Sequence, residues 1–316
     1  PINGKKVLEV HSTGSVVVSA KYLSELVRKL PNNINLKMTN NHLVTIQSGE
    51  IITKLNGLDA EEYPNLPKIN QNNMITLSSE KLIDIIKQTV FAVSKSEARP
   101  VLTGVNFSFK QNELTCAATN SHRLALSKDK LENSINGSFI VPSSSLNELI
   151  KLFSSAQTMV EIYTTDNYIL FKTNTVSLYS RLIEGNFPNI SSLMSQEAKT
   201  VIFLDTKKLL EGIDRANLFA SEWRNNNINL TIQNRKLKIA SNSTEVGKIE
   251  ETQRINEISG EEELSVTLDG SFLVDALKEI KEDEVSFSYS GTMRPVLIQP
   301  AGNASQLHLI SPVRSY

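Results

Sequence analysis

Short apolar strands followed by amphipathic helices recur five times along the chain. Each candidate strand ends in a cluster of Ser, Thr or Asp, and the next helix carries apolar residues along one face. In the clearest case residues 74–77 have a strand-like sequence, and Ser78 or Ser79 can cap the N-terminus of the helix that follows. The apolar stripe of this helix runs from Leu82 to Val90. The leucines that anchor the helices lie 59 to 64 residues apart: Leu23, Leu82, Leu146, Leu209 and Leu273. This spacing indicates an internal repeat.

Each helix is followed by alternating, β-branched sequence that turn residues interrupt. Such alternation around Asn- or Gly-containing pairs predicts β-hairpins. The pairs stand after residues 36–39, 160–163, 228–232 and 285–289, and they are Asn40-Asn41, Asp166-Asn167, Gln233-Asn234 and Ser290-Gly291. Each repeat is therefore predicted to be a strand, a helix and two or three antiparallel strands. One helix cannot cover such a sheet, so two repeats should share a core in domains of about 120 residues.

Five repeats make two and a half such domains. We therefore expect a sixth repeat of about 60 residues before Pro1, so that the chain lacks the first half of its first domain. The alternative is that this half was never duplicated. That alternative would leave the stripe from Leu23 to Leu30 without a partner helix.

Composition restricts the class of protein further. A chain of 316 residues holds about two or three domains, and its 33 basic and 34 acidic residues give a net charge of −1. No global charge therefore indicates a nucleic-acid or membrane partner, and local charge must be considered instead. The single cysteine, Cys116, excludes an internal disulfide and a cysteine-based metal cluster, which fits a reducing cytosol. No apolar run has the length of a membrane span. We expect a cytoplasmic protein without cofactor or metal.

Four segments carry a resemblance to a known family. They are Arg-Pro-Val-Leu-Thr-Gly-Val at 99–105, Thr-Asn-Ser-His-Arg-Leu-Ala at 119–125, Leu-Ile-Glu-Gly-Asn-Phe-Pro at 182–188 and Leu-Ile-Ser-Pro-Val-Arg at 309–314. In this order, and over the whole chain, the sequence resembles the bacterial DNA polymerase III beta subunit, the sliding clamp.

The resemblance implies an α+β fold built from repeats of a strand, a helix and antiparallel strands. Two repeats form each clamp-type domain, and the helices line a ring with the sheets outside. It implies a head-to-tail homodimer that encircles duplex DNA without sequence preference and serves as a polymerase processivity factor. The expected domains are 1–67, the truncated second half of the first domain; 68–193, the middle domain; and 194–316, the C-terminal domain.

The resemblance also implies a groove between the middle and C-terminal domains. In the family it captures a short linear peptide, of the Gln-Leu-x-Leu-Phe type, from polymerases, the clamp loader and repair proteins. Apolar residues would form a floor for the peptide's anchors, while His122 and the arginines orient its polar atoms. The matching positions are Arg99, Leu102, Thr119, Ser121, His122, Arg123, Leu124, Pro188, Leu193, Met293, Pro295, Ile310, Pro312, Val313 and Arg314. Without the resemblance, each apolar member would be interpreted as a core residue.

Two positions depart from the family pattern beside this groove. Asn120 stands where the family commonly has Asp, which removes a charge, and Ser311 stands where a larger apolar residue is common. We expect both changes to alter peptide preference without abolishing the function.

Helices that line a channel around DNA should carry Lys and Arg on their water-facing sides, because phosphate contact is independent of sequence. The candidates are Lys21, Arg28, Lys29, Lys81, Lys87, Lys151, Lys207, Lys208, Arg215, Lys278 and Lys281. The simpler interpretation is that these are mixed, solvated helix faces. Acidic residues lie on the same helices: Glu25, Asp84, Glu148, Glu211 and Asp275.

Ring closure in the family joins the second half of the first domain to the first half of the last domain. Here the matching segments are the helix 21–29 and the strand before Tyr63 on one side, and residues 214–219 on the other. Leu218 and Phe219 match positions that pack across the interface. Their alternative interpretation is an ordinary core pair.

Two other classes of function remain as alternatives. An enzyme in the same groove would use Ser121, His122 and Arg123, but no nucleophile, base and orienting group are evident together, and no Gly-rich phosphate loop exists. A structural or binding role for His122 is favoured over a catalytic one. The third class is a repeat scaffold that binds proteins but never DNA.

Overall fold

The computed structural model describes residues 9–39, 41–63, 74–132, 136–154, 158–194, 197–220, 227–245 and 247–313. The chain divides into two compact units, Pro1–Lys68 (unit 1) and Ile69–Tyr316 (unit 2). Both units consist of helices and antiparallel sheets, so the predicted α+β class is confirmed.

Unit 1 contains one repeat. Its described elements are helix α1 (Ala20–Lys29), strands β1 (Asn35–Met38), β2 (Leu43–Ser48) and β3 (Ile51–Asn56), and a 3-10 turn at Ala60–Glu62. The strands form an antiparallel sheet in the order β1-β2-β3. No residue of α1 is buried, and all four residues of β1 are exposed. The apolar stripe from Leu23 to Leu30 is therefore uncovered or only half covered within this unit.

The first two repeats of unit 2 follow the predicted order. They consist of β4 (Met74–Ser78), α2 (Ser79–Val90), a 3-10 turn (Pro100–Leu102), β5 (Gly104–Lys110), β6 (Glu113–Thr119), β7 (Arg123–Lys130), β8 (Gly137–Pro142), α3 (Ser143–Phe153), β9 (Met159–Thr164), β10 (Tyr168–Lys172) and β11 (Ser177–Arg181). Helix α2 begins where expected, because the Ser78 hydroxyl accepts a hydrogen bond from the Lys81 N–H.

The last two repeats have the same plan. They consist of α4 (Ser191–Met194), β12 (Thr200–Asp205), α5 (Thr206–Ala220), β13 (Asn227–Gln233), β14 (Lys236–Ser243), β15 (Gly247–Arg254), β16 (Glu257–Gly260), β17 (Leu264–Asp269), α6 (Gly270–Lys278), β18 (Glu284–Tyr289), β19 (Val296–Pro300) and β20 (Gln306–Ile310). Asp269 caps α6 by accepting from the N–H groups of Ser271 and Phe272.

Paired repeats exchange their leading strands. Strand β4 pairs with β9 of the next repeat, and β8 pairs back with β5. In the same way β12 pairs with β18, and β17 pairs with β13. Helices α2 and α3 pack together, as do α5 and α6. Two repeats therefore share one core, as the sequence predicted.

The two pairs of repeats are joined by one antiparallel sheet. Its nine strands have the order β16-β12-β18-β19-β20-β7-β6-β5-β8. The β7–β20 pair runs from Ser127 opposite Gln306 to Arg123 opposite Ile310, and it crosses the predicted boundary between the middle and C-terminal domains. The boundaries 67/68 and 193/194 themselves stay predictions.

Candidate peptide-binding site

Four chain segments converge at one end of the nine-stranded sheet. Arg123 at the start of β7 lies opposite Ile310 at the end of β20, and Ile310 lies opposite Val296 at the start of β19. The β6–β7 loop, the turn before β19 and the segment after β20 must therefore meet at this end. The Arg99 guanidinium adds the fourth segment, because its Nη1 donates to Ser121 Oγ at 3.2 Å.

The loop of residues 119–123, called the groove loop here, is held by its own side chains. Thr119 Oγ1 donates to the Arg123 carbonyl at 2.6 Å and accepts from the Ser121 N–H at 3.1 Å. Asn120 Oδ1 accepts from the N–H groups of His122 and Arg123, both at 3.0 Å. These bonds offset the cost of the positive φ of 77° at Ser121 and leave His122 exposed. The amide oxygen of Asn120 thus accepts the same two hydrogen bonds that the carboxylate of an Asp at this position would accept.

The outer face of the sheet carries an apolar cluster beside this loop. Leu124 and Leu126 of β7 lie opposite Leu309 and Leu307 of β20, and with Ala117 they form a buried group. Phe187, Ile190 and Leu297 pack on it and are only partly buried. These residues are called the outer cluster here, and its accessible apolar surface lies at the half-buried Phe187, Ile190 and Leu297.

The fifteen predicted groove residues fall into four groups. Exposed side chains belong to Arg99, Ser121, His122, Pro188, Leu193 and Met293. Half-buried ones belong to Thr119, Pro295, Pro312 and Val313. Leu102, Arg123, Leu124 and Ile310 are buried. Arg314 lies outside the described residues.

Ile310 is one of the buried predicted groove residues, and its role in the groove stays a prediction. Its side chain is 1% exposed and packs in the core of the last two repeats. Successive strand residues point to opposite faces, so Leu309 faces the outer cluster and Ile310 faces the core. Sequence reasoning missed Leu126, Leu307 and Leu309, although their period-two spacing with Leu124 signals a common face.

Arg123 also points away from the surface. Its Nη1 donates to Asp275 Oδ2 of α6 at 2.6 Å, and its Nη2 donates to the Phe91 carbonyl. Burial, and secondly the positive charge of Arg123, lower the pKa of nearby His308 to about 4, so His308 is neutral at pH 7.

Among the described residues, the hydrogen bonds of His122 are made by its backbone. Its backbone N–H and carbonyl bond to Asn120 and Ser311, and the Ser121 hydroxyl accepts from Arg99 rather than from a base. Across the described ranges, no group of three or more His, Cys, Asp or Glu residues is placed to hold a metal ion. The described helices include none that is long and apolar enough to cross a membrane.

The predicted DNA-facing lysines are all exposed on or next to helices. Four of them form ion pairs: Lys81 with Asp129, Lys151 with Glu148, Lys208 with Asp205 and Lys281 with Asp84. Lys87, Lys207 and Lys278 form no ion pair with any residue that the structure describes. Lys21 and Lys29 of α1 are likewise exposed and form no ion pair with a described residue.

The predicted interface residues differ in exposure. Leu218, near the end of α5, is 71% exposed, and Tyr63 of unit 1 is 62% exposed. Phe219 is half-buried. An ordinary core role is therefore wrong for Leu218.

The fold defines a class of protein: a scaffold of paired strand–helix–strand repeats that share antiparallel sheets. Family models for the DNA polymerase III beta subunit match the chain three times: the N-terminal domain at residues 2–67, the central domain at 76–189 and the C-terminal domain at 191–314.

Relatives match along nearly the whole chain. The beta sliding clamp of Bacillus subtilis is 42% identical over 316 residues, which is 99% of this chain and 83% of that protein. That of Staphylococcus aureus is 38% identical over 317 residues, covering 100% of this chain and 84% of that protein. A crystal structure of the Bacillus subtilis sliding clamp superposes with a TM-score of 0.94 at 42% identity, covering 100% of this chain and 84% of that chain.

A Streptococcus pneumoniae beta chain superposes with a TM-score of 0.90 at 33% identity, covering 96% of this chain and 81% of that one. The chain belongs to the DNA polymerase III beta subunit family, the bacterial sliding clamps. Its function is that of a processivity clamp in DNA replication, and the resemblance seen in the sequence is confirmed.

Proposed function

We propose that two copies of this chain form a head-to-tail ring around duplex DNA and tether polymerase, clamp loader and repair proteins through a short linear peptide. The peptide binds where the groove loop, the turn before β19, the segment after β20 and Arg99 meet beside the outer cluster. This convergence at one end of the sheet is the observation that carries the proposal.

The chemistry of the site fits a peptide with apolar anchors. Met293 and Pro188 are exposed apolar groups, and the half-buried Phe187, Ile190 and Leu297 of the outer cluster add apolar surface. Arg99 and His122 are exposed hydrogen-bond donors that can bind peptide carbonyl and amide oxygens. A few apolar anchors with such polar neighbours are typical of peptide-binding sites. The protein acts by binding and has no catalytic role.

The exposed helix lysines are proposed to contact the phosphate backbone. A net charge of −1 means that DNA binding depends on local charge, and Lys87, Lys207 and Lys278 supply it without a carboxylate of the described residues within 4.0 Å. A ring holds DNA by its topology, so individual contacts can stay weak and allow sliding.

Ring closure is proposed to involve Leu218 and Phe219 of one protomer and the region of Tyr63 of the other. Leu218 is 71% exposed near the end of a helix, and its burial in an interface would remove apolar surface from water.

A peptide titration tests the groove. A labelled peptide of the Gln-Leu-x-Leu-Phe type should bind the chain in the micromolar range, about −8 kcal/mol. The double variant Met293→Ala, Arg99→Ala should lose this binding. The matched control is Met159→Ala with Arg235→Ala, which removes an exposed methionine and an exposed arginine elsewhere on unit 2. Equal loss in both variants, or no binding by the folded chain, would contradict the proposal.

A further inference from the structure

Arg123 links the groove loop to helix α6. Its backbone N–H and carbonyl take part in the groove-loop bonds with Asn120 and Thr119. Its side chain reaches across the junction between the two pairs of repeats, where Nη1 donates to Asp275 Oδ2 at 2.6 Å. One residue therefore connects the loop that presents His122 with a carboxylate on a helix of the last repeat.

The guanidinium of Arg123 is enclosed by aromatic rings. Its central carbon lies 4.4 Å from the ring centroid of Phe272 and 5.3 Å from that of Phe91. The side chain is 9% exposed, and Nη2 donates to the Phe91 carbonyl. Its Nε has no hydrogen-bond partner among the described residues. A charge in such surroundings is strongly destabilised if its counter-charge is removed.

Asp275 is the counter-charge. Within the described ranges it is the carboxylate that lies within 4.0 Å of the guanidinium. His308 is a titratable side chain near Arg123; its ring centroid is 5.6 Å from that of Phe91, and it is neutral at pH 7. Asp275 therefore supplies the charged contact, beside the Phe91 carbonyl and the two rings, that orients the Arg123 side chain.

We propose that Asp275 is a positioning residue for the peptide site. It holds the Arg123 side chain, and through it the groove loop, in the conformation that presents Ser121 and His122 to the peptide. The loop is also bonded to the segment after β20, because the Ser311 N–H donates to the His122 carbonyl at 2.8 Å. A change on α6 therefore alters peptide affinity without touching the peptide. The inference rests on the proposed function of the groove.

The test compares two substitutions in the full chain. Asp275→Asn removes the counter-charge of Arg123, and we expect on the order of tenfold weaker binding of the Gln-Leu-x-Leu-Phe peptide, with faster dissociation. The matched control is Asp84→Asn. It breaks the 2.7 Å ion pair between Asp84 of α2 and Lys281, which also joins the two pairs of repeats but does not contact the groove loop. We expect the control to bind within about twofold of the parent chain.

Amide hydrogen exchange without peptide separates positioning from general destabilisation. In Asp275→Asn the amides of His122, Arg123 and Ser311, which are hydrogen-bonded in the loop, should exchange faster, while those of β12 keep their protection. Asp84→Asn should leave the exchange rates of the loop amides and of the β12 amides unchanged.

If Asp275→Asn does not fold, Phe272→Leu replaces it, because this change removes the ring over the guanidinium and keeps an apolar side chain. The same pattern, smaller in size, is then expected. The inference is overturned if the folded variant binds like the parent chain, or if both aspartate substitutions weaken binding equally. Failure of the parent chain to bind would instead contradict the proposed function, and loop exchange would still test the positioning role.

Discussion

The backbone N–H of Ser311 donates to the carbonyl oxygen of His122 at 2.8 Å. The bond continues the pairing of β7 with β20 past the ends of both strands, and it joins residues that lie far apart in the sequence. The candidate peptide site consequently belongs to neither pair of repeats alone. Its geometry depends on the junction between them.

Truncation of the outer cluster should separate stability from binding. Because the Leu309 side chain is buried, Leu309→Ala is expected to lower the free energy of unfolding by about 2–5 kcal/mol. It is also expected to weaken peptide binding. Leu237→Ala, equally buried in the core of the last two repeats, should lower stability similarly and leave peptide affinity unchanged. Urea denaturation and peptide titration of both variants provide the measurement. Equal peptide affinity in the two variants would contradict a role for the outer cluster.

Charge reversal should identify the DNA-facing side. The triple variant Lys87→Glu, Lys207→Glu, Lys278→Glu is expected to lose retention on nicked circular DNA. The slope of the logarithm of its duplex-binding constant against the logarithm of salt concentration should become less steep by about 0.9 for each lost phosphate contact. The control reverses three exposed lysines of strands: Lys110, Lys130 and Lys236. Because both variants change net charge equally, equal loss, or full retention by the helix variant, would contradict the assignment of the three lysines. Absence of retention by the parent chain would favour a scaffold that never binds DNA.

Ring closure should depend on Leu218. Leu218→Asp places a charge at a side chain that is 71% exposed in one chain and buried in the proposed interface. We expect sedimentation at micromolar concentration to show a shift from dimer toward monomer. Met159→Asp, at another exposed apolar position, should leave the distribution unchanged. Identical sedimentation of both variants would argue against this interface.

The buried imidazole of His308 predicts a pH dependence of stability. Its folded-state pKa of about 4 lies below the ordinary value of 6.5, so the unfolded chain binds the proton more readily between these values. The contribution of neutral His308 to the free energy of unfolding is fully present above about pH 6.5. It is lost as the pH falls toward 4, by roughly 3 kcal/mol at most. Urea denaturation between pH 5 and pH 7.5 gives the slope, which His308→Gln should reduce. An unchanged slope would show that other groups cause the dependence.

The repeat architecture is determined by local sequence. The anchoring leucines, the caps at Ser78 and Asp269 and the turn pairs act over a few residues, so periodicity alone predicted strand, helix and hairpins in the observed order. The sharing of a core also followed from the sequence, because one apolar stripe cannot cover a sheet. Motifs such as residues 119–125 were long enough to indicate the family.

The site itself was decided by contacts between distant parts of the chain. The pairing of β7 with β20 and the exchange of leading strands join segments whose partners local patterns do not specify. Strand register then turned Leu309 outward and Ile310 into the core, although they are neighbours in sequence. The orientation of the Arg123 side chain toward Asp275 depends on how α6 packs at the junction between the two pairs of repeats. Local sequence patterns thus specify the repeats and indicate the family, whereas contacts between distant segments specify which side chains meet, because sheet register and domain packing are non-local.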